Sequence, residues 1–560
     1  MPYTSDFETT TDVNDCRVWA CGICSIDEKL EFFYGNSIEY LFDFFKRHPN
    51  ETYYFHNLKF DGEFIFYHLL SNLGFKHVKE KRKLKAKEFS TLISDSGQFY
   101  SIEIRLSKRN KVTIYDSLKI IPLEVEEMAR SFGLSISKLK IDYTAKREKG
   151  HQLTLEEIEY LKNDVTIVAQ ALNTLFHQNL KKMTQGANAL FDFKNIISEK
   201  NFKRYFPILE YDEYIRASYK GGYVYVNPHF QKKDIDDGIV LDVNSLYPSV
   251  MYSRLLPYGE GIYFTGRYEY DREYPLYIQT LRCTFELKKG YIPTIQLKNN
   301  LSFMPNEYLT SSNGDDVTLT LTSVDLKIFL EHYDVDDLEY FHGYKFKGSD
   351  SLFKDYIDKW IKVKIEATET GNKGMRQLAK LMLNALYGKF GLNPNVRSKY
   401  PYLSDDGSIK YQTGEKEHRD PIYIPMAVFI TAYAREITIT SAQKCMQPTE
   451  KHPRGRFIYC DTDSLHLLGT EIPDFLEVHE TKLGAWAHES TFTRARFIRQ
   501  KTYIEEIEGQ LNITCAGMPK KCYKDVTWDN FNEGLTVSGK LLLKHVKGGI
   551  VLVPTPFTIK

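Results

Sequence analysis

The sequence has no long apolar run and no excess of charge of either sign. None of its uninterrupted hydrophobic stretches approaches the ~18 residues that a membrane-spanning helix needs. The amino terminus MPYTSDFETT has neither the basic start nor the apolar core of a signal peptide. Lys+Arg and Asp+Glu number 74 each, which excludes a uniformly basic coat, so any site for a polyanion must be a local patch. We therefore expect a cytoplasmic protein without a membrane span.

Cysteine is also scarce, since the chain of 560 residues contains only eight. That number is too small for a disulfide framework in so long a chain. Cys21 and Cys24 form a CxxC pair with Cys16 nearby, but the surrounding stretch RVWACGICSI is apolar and strand-like, with no second Cys/His pair close by. The pattern favours buried free thiols, and a zinc or redox site is the alternative.

The composition that is present is typical of a globular protein with several folding units. Hydrophobic residues make up 42% and charged residues 26% of the chain. At ~100–200 residues per domain, the length suggests about three to five units. Strand and helix patterns alternate, which predicts an α+β or α/β multidomain protein. The 39 Tyr and 35 Phe residues can fill cores and can also offer stacking faces to bases.

Local patterns predict several individual elements. In the first part of the chain we expect strands at Tyr3–Thr10 and Arg17–Ile26, and two strands within Ser90–Leu106. The capping box at Thr154–Glu157 predicts a helix that runs to about residue 178. The basic run Lys76–Lys87 is either a solvated loop or a phosphate contact.

Further predictions concern the second half of the chain. Ile239–Val243 is a predicted strand that leads into a helix. Met375–Phe390 is predicted to be one helix, because its apolar residues recur at i, i+3, i+4, i+7 and i+8. Arg456–Cys460 and Ser464–Leu468 are predicted strands on either side of a turn.

Four carboxylates in the first part of the chain are candidates for a metal site. Asp6 and Glu8 lie two apart on a strand, so their side chains point to the same face. Asp61 follows another strand, and Asp164 lies on the capped helix one turn after Tyr160. Two divalent ions held by such oxygens clamp the attacking water and the leaving oxygen of a phosphodiester. Any one of these acids alone is more often a surface carboxylate, and the ordered set carries the prediction.

A second acidic set lies much later in the chain. The segment VLDVNSLYPSVMYSRLLP places Asp242 at the end of a buried strand, and FIYCDTDSLHLL places Asp461 and Asp463 on one face of a hairpin. If these acids meet, they form a second dinuclear site. There a primer hydroxyl would attack an α-phosphate, and pyrophosphate would leave.

A polar stripe lies on the helix between these two segments. Its members fall at i, i+4, i+8 and i+11 opposite the apolar face, and they are Arg376, Lys380, Asn384 and Tyr387. Cations in such a stripe suit a triphosphate, and the aromatic ring can stack on a base. A solvated helix face is the alternative interpretation of the stripe alone.

The motifs resemble those of known families. Strand DxE, then Asn-x-x-x-Asp, then Tyr-x-x-x-Asp resemble the three exonuclease motifs of DnaQ-like 3′→5′ proofreading nucleases, over roughly residues 1–180. DxxSLYP, KxxxNxxYG and YxDTDS resemble motifs A, B and C of family B DNA polymerases. Tyr219-Lys-Gly221-Gly222, Thr431-Ala-Tyr-Ala-Arg435 and Lys501-Thr-Tyr503 resemble segments of one branch, the protein-primed polymerases of small Bacillus phages, the phi-twenty-nine type.

The resemblance implies a DnaQ-like (RNase H-like) exonuclease domain joined to a right-hand polymerase with two insertions. The implied units are the exonuclease domain at 1–182, the palm at 183–253 and 421–520, a terminal-protein-type insertion at 254–351, the fingers at 352–393, a second insertion at 394–420 and the thumb at 521–560.

The resemblance also implies roles for individual residues. Two Mg²⁺ ions per site, replaceable by Mn²⁺, would be held in the nuclease by Asp6, Glu8, Asp61 and Asp164, and in the polymerase by Asp242, Asp461, Asp463 and the carbonyl of Val243. Tyr160 would orient the attacking water, and Lys138 would assist the cut. The incoming nucleotide would be bound by Tyr247, Lys364, Lys380, Asn384 and Tyr387.

DNA contacts follow from the same resemblance. Single-stranded DNA in the nuclease would be bound by Thr9, Tyr54, His56, Asn57, Phe60, Ser117, Leu118 and Tyr143. The primer-template would be bound by Tyr219, Gly221, Gly222, Thr431 and Arg435, and the primer terminus by Lys501 and Tyr503.

The function that the resemblance implies is a processive, strand-displacing, protein-primed DNA polymerase with 3′→5′ proofreading, which replicates a linear phage-type genome. Its partners would be primer-template DNA, dNTPs and a terminal protein that serves as primer in a heterodimer, and the catalytic subunit would be a monomer. Three alternatives remain open at this point. One is a stand-alone 3′→5′ exonuclease whose second half only binds DNA, and another is a non-catalytic replication scaffold. The third is a reverse transcriptase or RNA polymerase, against which Tyr247 argues because it should reject ribonucleotides.

Overall fold

A computed structural model describes residues 1–80, 84–296 and 308–560. Residues 81–83 of the basic run and 297–307 of the predicted first insertion therefore lie outside the described residues. Within the described ranges, no helix has the length and apolar character needed to cross a membrane. All eight cysteines are free and buried, as the sequence favoured for Cys21 and Cys24.

The first part of the chain forms a mixed eight-stranded sheet with helices on its faces. Its elements are β1 (Pro2–Thr9), β2 (Val18–Ser25), β3 (Phe32–Gly35), α1 (Ile38–Arg47), β4 (Thr52–Phe55), α2 (Leu58–Tyr67), β5 (Lys76–His77), β6 (Glu88–Ile93), β7 (Phe99–Ser107), β8 (Asn110–Asp116), α3 (Val125–Phe132) and α4 (Leu155–His177). The strand order is β3-β2-β1-β4-β8-β7-β6-β5, with β1 parallel to β4 and antiparallel to β2. The strands predicted in this part are confirmed, with ends within two residues. In the basic run, Lys76, Lys79, Lys85 and Lys87 are exposed, which leaves both of its interpretations open.

The middle of the chain carries a second, antiparallel sheet. After α5 (Gln185–Ile197), α6 (Glu199–Tyr205) and α7 (Asp212–Arg216) come β9 (Val224–Val226), β10 (Asp234–Ile235), β11 (Gly238–Val243) and α8 (Leu246–Ser253). They are followed by β12 (Leu256–Thr265), β13 (Leu276–Leu287), β14 (Ile295–Gln296), β15 (Tyr308–Leu309), β16 (Val317–Thr322), α9 (Ser323–His332) and β17 (Tyr333–Ser349). The sheet has the order β12-β17-β13-β16, and it lies wholly inside the predicted first insertion.

Helices and two small hairpins come next. They are α10 (Lys354–Glu369), α11 (Lys373–Ala385), α12 (Tyr387–Phe390), β18 (Asn395–Val396), β19 (Lys399–Leu403), β20 (Ile409–Thr413) and β21 (Glu417–His418). The prediction of one helix over Met375–Phe390 was wrong in its continuity, because α11 and α12 are separate. Leu386 between them keeps right-handed helical angles, so the interruption is in the hydrogen-bond ladder and not in the direction of the chain. The apolar face continues across it, with Leu378, Met382 and Leu386 buried.

The last part of the chain completes a five-stranded sheet. It contains α13 (Ile424–Cys445), β22 (Phe457–Asp461), β23 (Ser464–Leu468), β24 (Trp486–Phe492), β25 (Arg494–Arg499), β26 (Thr502–Ile507), β27 (Gln510–Cys515), β28 (Thr536–Val546) and β29 (Gly549–Thr558). The order β24-β11-β23-β22-β9 joins strands from both halves of the chain, and a four-stranded sheet β10-β25-β26-β27 adjoins it. The predicted strands around the turn at 461–463 are confirmed. Helix α13 is apolar around most of its circumference and is accordingly a core helix.

The predicted capping box at the start of α4 is confirmed. The Thr154 hydroxyl accepts the backbone N–H of Glu157 at 3.2 Å, and the Glu157 carboxylate accepts the backbone N–H of Thr154 at 3.0 Å. Arg147 Nε also donates to Glu157, at 2.8 Å. These bonds satisfy two otherwise unpaired N–H groups and hold the helix that carries Tyr160 and Asp164.

Thr154→Ala should loosen the first turn of α4, because it removes the hydroxyl acceptor and costs about 1 kcal/mol of local stability. Hydrogen exchange of the first-turn amides should therefore become faster. Thr174→Ala is the matched control, since the Thr174 hydroxyl only donates back to the carbonyl of Gln170 within the same helix and alanine is a better helix former. Equal loss of protection in the two variants would contradict the capping argument.

Candidate active sites

The first acidic cluster forms where β1 faces α4 and α2. Carboxylate oxygens of Asp6 and Glu8 from β1 and of Asp164 from α4 all lie within 4.8 Å of one another. Asp61, near the start of α2, is 3% exposed, and the charges of Asp6 and Glu8 help burial to raise its pKa well above the usual value. The fold thus gathers all four predicted acids from three separate elements.

The electrostatics of this cluster are unfavourable without a cation. Burial, followed by repulsion from Asp164, raises the pKa of Asp6 to about 7, although the Lys138 ammonium opposes the change. Burial and the charges of Asp6 and Asp164 also raise the pKa of Glu8 well above its usual value. Asp61 Oδ1 and Asp164 Oδ1 are buried and find no hydrogen-bond partner among the described residues. Crowded, partnerless carboxylate oxygens fit a hard divalent cation such as Mg²⁺.

Two further predicted residues adjoin the cluster. Lys138 Nζ donates to Asp164 Oδ2 at 2.7 Å and also lies over the ring of Tyr160. The Tyr160 hydroxyl lies 2.7 Å from that of Tyr143, whose side chain is half exposed. The Tyr160 hydroxyl is therefore available to a water at this cluster, and the Lys138 ammonium is available to a phosphate.

The residues predicted to bind single-stranded DNA have varied surroundings. His56 lies 2.9 Å from the buried Ser117 hydroxyl, and with Asp6, Lys138 and Asp164 it lines a cavity of about 100 Å³. Burial lowers the pKa of His56 to about 4, so its ring is neutral. Thr9, Phe60 and Leu118 are half-buried and Asn57 is exposed, so they are open to a ligand.

Tyr54 differs from the other predicted strand ligands, because its ring is packed away from solvent. It lies between Tyr115 and Phe176, with ring centroids 5.7 and 5.6 Å away, and only 5% of the residue is exposed. Its role in DNA binding stays a prediction.

The second acidic cluster lies on the five-stranded sheet. Asp242 on β11 is the register partner of Ser464, directly after the turn that carries Asp463. The backbone N–H of Val243 donates to the carbonyl of Asp463 at 2.8 Å, which fixes the two segments together. Burial, followed by the charge of Asp463, raises the pKa of Asp242 to about 7. The predicted meeting of these two aspartates is therefore present in the fold.

Asp461 is held differently from the other two acids of this cluster. Its Oδ2 accepts from Lys501 Nζ at 2.5 Å and from the Tyr459 hydroxyl at 3.1 Å. Among the described residues, only Asp6, Glu8 and Asp164 bring acidic oxygens within 4.8 Å of one another as a group. Lys501, one of the predicted primer contacts, supplies the positive charge beside Asp461.

Tyr503, the other predicted primer contact, anchors the same region. Its ring stacks on Phe497 at 4.8 Å and packs against Tyr459 at 5.2 Å. Lys501 and Tyr503 therefore both reach the hairpin that carries Asp461.

The segment 219–222, one of those that resemble the protein-primed branch, is a loop that packs against the turn of this hairpin. A Cβ on Gly222 would lie 2.4 Å from the Thr462 hydroxyl, so only glycine fits there. Arg435 is buried, donates to the carbonyls of Lys220 and Gly221, and forms a two-pronged pair with Asp325. Thr431 is also buried, and its hydroxyl donates within α13. Any contribution of Arg435 to DNA binding would act through the loop that it holds.

The polar stripe on α11 is exposed as predicted, at Arg376, Lys380 and Asn384. Burial and the charges of Arg376 and Lys380 lower the pKa of Lys364 on α10, which places three cations in one region. The Lys380 charge also reaches Asp242, because it opposes the rise in that pKa.

The two tyrosines predicted to contact the nucleotide stack on each other. The rings of Tyr247 and Tyr387 have centroids 4.0 Å apart and an interplanar angle of 23°. Tyr219 adjoins them, since Tyr387 is among the groups that raise its pKa after burial. The charge of Asp463 also helps to raise the pKa of Tyr247 and of Tyr387, so the stacked pair lies near the second acidic cluster.

Sequence reasoning missed residues that the fold brings to this site. The charge of Glu489 on β24 contributes to the raised pKa of both Asp242 and Asp463. His466 Nδ1 and Glu505 Oε1 form a buried pair at 2.6 Å behind Tyr459, and it ties β23 to β26. A single sequence gives no local signal for these residues, because long-range strand pairing alone makes them neighbours.

Comparison with known proteins identifies the family of this chain. A family model described as DNA polymerase type B, organellar and viral, matches residues 45–154 and 143–481. The DNA polymerase of Bacillus phage phi29 is 47% identical over 584 residues, covering 100% of this chain and 99% of the relative. The DNA polymerase of Streptococcus phage Cp-1 is 33% identical and covers 100% and 98%.

The fold agrees as well. A solved structure of phi29 DNA polymerase complexed with primer-template DNA and incoming nucleotide substrates has a TM-score of 0.92 at 47% identity, with 100% of both chains covered. A crystal form of the same polymerase gives a TM-score of 0.93. The predicted fold class, a multidomain α+β polymerase with an exonuclease domain, is thereby confirmed. The chain belongs to the organellar and viral DNA polymerases of type B.

Proposed function

We propose that this DNA polymerase has two separate active sites, one that extends a primer and one that removes nucleotides from its 3′ end. The observation that carries the proposal is the presence of two acidic clusters on two different sheets, each with raised carboxyl pKa values and each next to a lysine. Base selection by contacts alone discriminates by ~10–200-fold, so a second site that removes errors has a clear use.

In the polymerase site, divalent ions would be held by Asp242, Asp463 and Asp461, with the carbonyl of Val243. Such ions supply charge neutralisation at the attacking and leaving oxygens. Lys380 and Lys364 are the groups that would hold the triphosphate. Tyr247 and Tyr387 would lie under the sugar and base, while Asn384 would line the nascent pair. Lys501 would leave Asp461 and contact the primer terminus as DNA enters.

In the nuclease site, Asp6, Glu8, Asp61 and Asp164 would hold the ions. The Tyr160 hydroxyl, bonded to that of Tyr143, would orient the attacking water. Lys138 would neutralise charge that develops on the cleaved phosphate. One solved structure of phi29 DNA polymerase is a complex with single-stranded DNA, and the likeness of the two proteins supports such a substrate for the present chain.

The remaining parts of the proposal follow the branch that the sequence resembles. The terminal-protein-type insertion (254–351) and the second insertion (394–420) would bind the protein primer and enclose DNA, with a thumb at 521–560. Protein priming, processivity and strand displacement would follow, on a linear phage-type genome in the host cytoplasm. Two structural features support these roles: the antiparallel sheet β12-β17-β13-β16 in the first insertion and the hairpin β19–β20 in the second.

Asp463→Asn should reduce primer extension by more than about 100-fold, since even outer groups of metal sites contribute 10–100-fold. Digestion of single strands by the same preparation should stay within a factor of about two, because Asp463 lies on the other sheet. Extension and digestion are measured on labelled primers with Mg²⁺. A parallel loss of both activities would contradict the assignment of separate sites.

Asp6→Ala should have the opposite pattern, with digestion reduced by more than about 100-fold and extension kept. Asp12→Ala serves as the control, because Asp12 is exposed and lies on the loop just after β1. Normal digestion by Asp6→Ala would contradict a catalytic role of the first cluster.

On a primed circular single-stranded template, with excess competitor DNA added at the start, the protein should make products longer than one circuit. Such products require that the chain stays bound and displaces the strand ahead. Gel separation of the products under denaturing conditions measures both properties. Products that stop at one circuit would contradict strand displacement, and short products would contradict processivity.

A further inference from the structure

Three segments that are far apart in the chain meet at one buried carboxylate. Glu63, on α2, is 2% exposed. The hydroxyl of Tyr411, on β20, donates to Glu63 Oε1 at 2.6 Å. His545, on β28, places its Nδ1 3.5 Å from Glu63 Oε2. We call these three residues the Glu63 junction.

Apolar packing surrounds the junction. Ile409 from β20 and Ile550 and Val551 from β29 are buried in the same hydrophobic cluster as Phe64 of α2. Gly549 lies against the Phe64 ring, where a Cβ would be 2.6 Å away. Cys16, on the loop before β2, donates its thiol to the carbonyl of Ile550 at 3.4 Å. The tip of the β28–β29 hairpin is thus seated on the first sheet's unit.

The polar groups make this contact more specific than apolar packing alone, because a buried carboxylate requires particular partners. A buried carboxylate is costly unless it is paired and hydrogen-bonded. The β20 hairpin gives Glu63 its hydrogen bond, from Tyr411 to Oε1, and the β28 hairpin brings the His545 ring within ion-pair distance of Oε2. The nearby Glu63 carboxylate raises the pKa of His545, while burial and the charge of Lys59 oppose the change. Burial and the Glu63 charge raise the pKa of Tyr411 well above its usual value, so its hydroxyl stays a donor.

We propose that Glu63 is a positioning residue that ties the β19–β20 and β28–β29 hairpins to the exonuclease domain and so holds the protein closed around the DNA that it copies. The inference rests on the proposed processive function and names the contact that maintains it. Loss of the junction lets the hairpins move apart, and DNA then leaves sooner. The polar groups of the junction bond to one another and not to the acids assigned to the polymerase site, so nucleotide insertion itself is unaffected.

The test uses variants on the two hairpins, because Glu63 is only two residues from Asp61. The full-length Tyr411→Phe/His545→Ala double variant is bound to a primed long template, and dNTPs are added together with excess competitor DNA. Run length per binding event should fall about tenfold, as expected for a faster dissociation rate. The rate of single-nucleotide insertion at saturating enzyme should stay within about twofold. Glu63→Gln, which keeps an acceptor for Tyr411 but loses the charge, should fall between the double variant and the unsubstituted protein.

Tyr402→Phe is the matched control, because Tyr402 lies on β19 of the same hairpin and is 45% exposed. Its run length should equal that of the unsubstituted protein. An unchanged run length in the double variant, or an insertion rate that falls in step with run length, would overturn the inference. Short runs by the unsubstituted protein would overturn the proposed processive function and the inference with it.

Discussion

Repulsion between buried carboxylates is the constraint on which the functional parts of this protein depend. A carboxylate taken out of water loses most of its solvation, and a second one nearby makes the charged form still less favourable. The fold nevertheless places Asp6, Glu8, Asp61 and Asp164 together where β1 meets α2 and α4. Two conditions favour such an arrangement: surrounding structure that over-determines it, and a cation, which would relieve the repulsion. The rigid sheet and the capped helix α4 supply the first condition.

The two clusters meet this constraint in different ways. In the first, Lys138 is bonded to Asp164, and two carboxylate oxygens remain without a donor among the described residues. In the second, Lys501 takes one oxygen of Asp461, while Asp242 and Asp463 keep raised pKa values. Each cluster therefore has one lysine beside its acids, Lys138 at Asp164 in the first and Lys501 at Asp461 in the second.

Close contacts between a loop and a turn fix the second acidic cluster in place. Gly222 touches the turn at Thr462 so closely that no side chain fits between them. Arg435 donates hydrogen bonds to two carbonyls of the loop that contains Gly222, and its charge is neutralised by Asp325. A contact between loop and turn transmits any displacement of one to the other. The buried arginine thus supports the geometry of the second acidic cluster as well as the stability of the fold.

Local sequence determined a large part of this structure: the strands and the capped helix of the first unit, the hairpin around Asp461, and the residue types of both acidic clusters. These features depend on side-chain periodicity and on bonds between residues a few positions apart, which a single sequence displays. The approach of Glu489 to Asp242, the His466–Glu505 pair and the Glu63 junction were decided only by tertiary structure. They arise where strands and hairpins from distant parts of the chain pack together, and no local pattern encodes which distant partner a buried charge will meet.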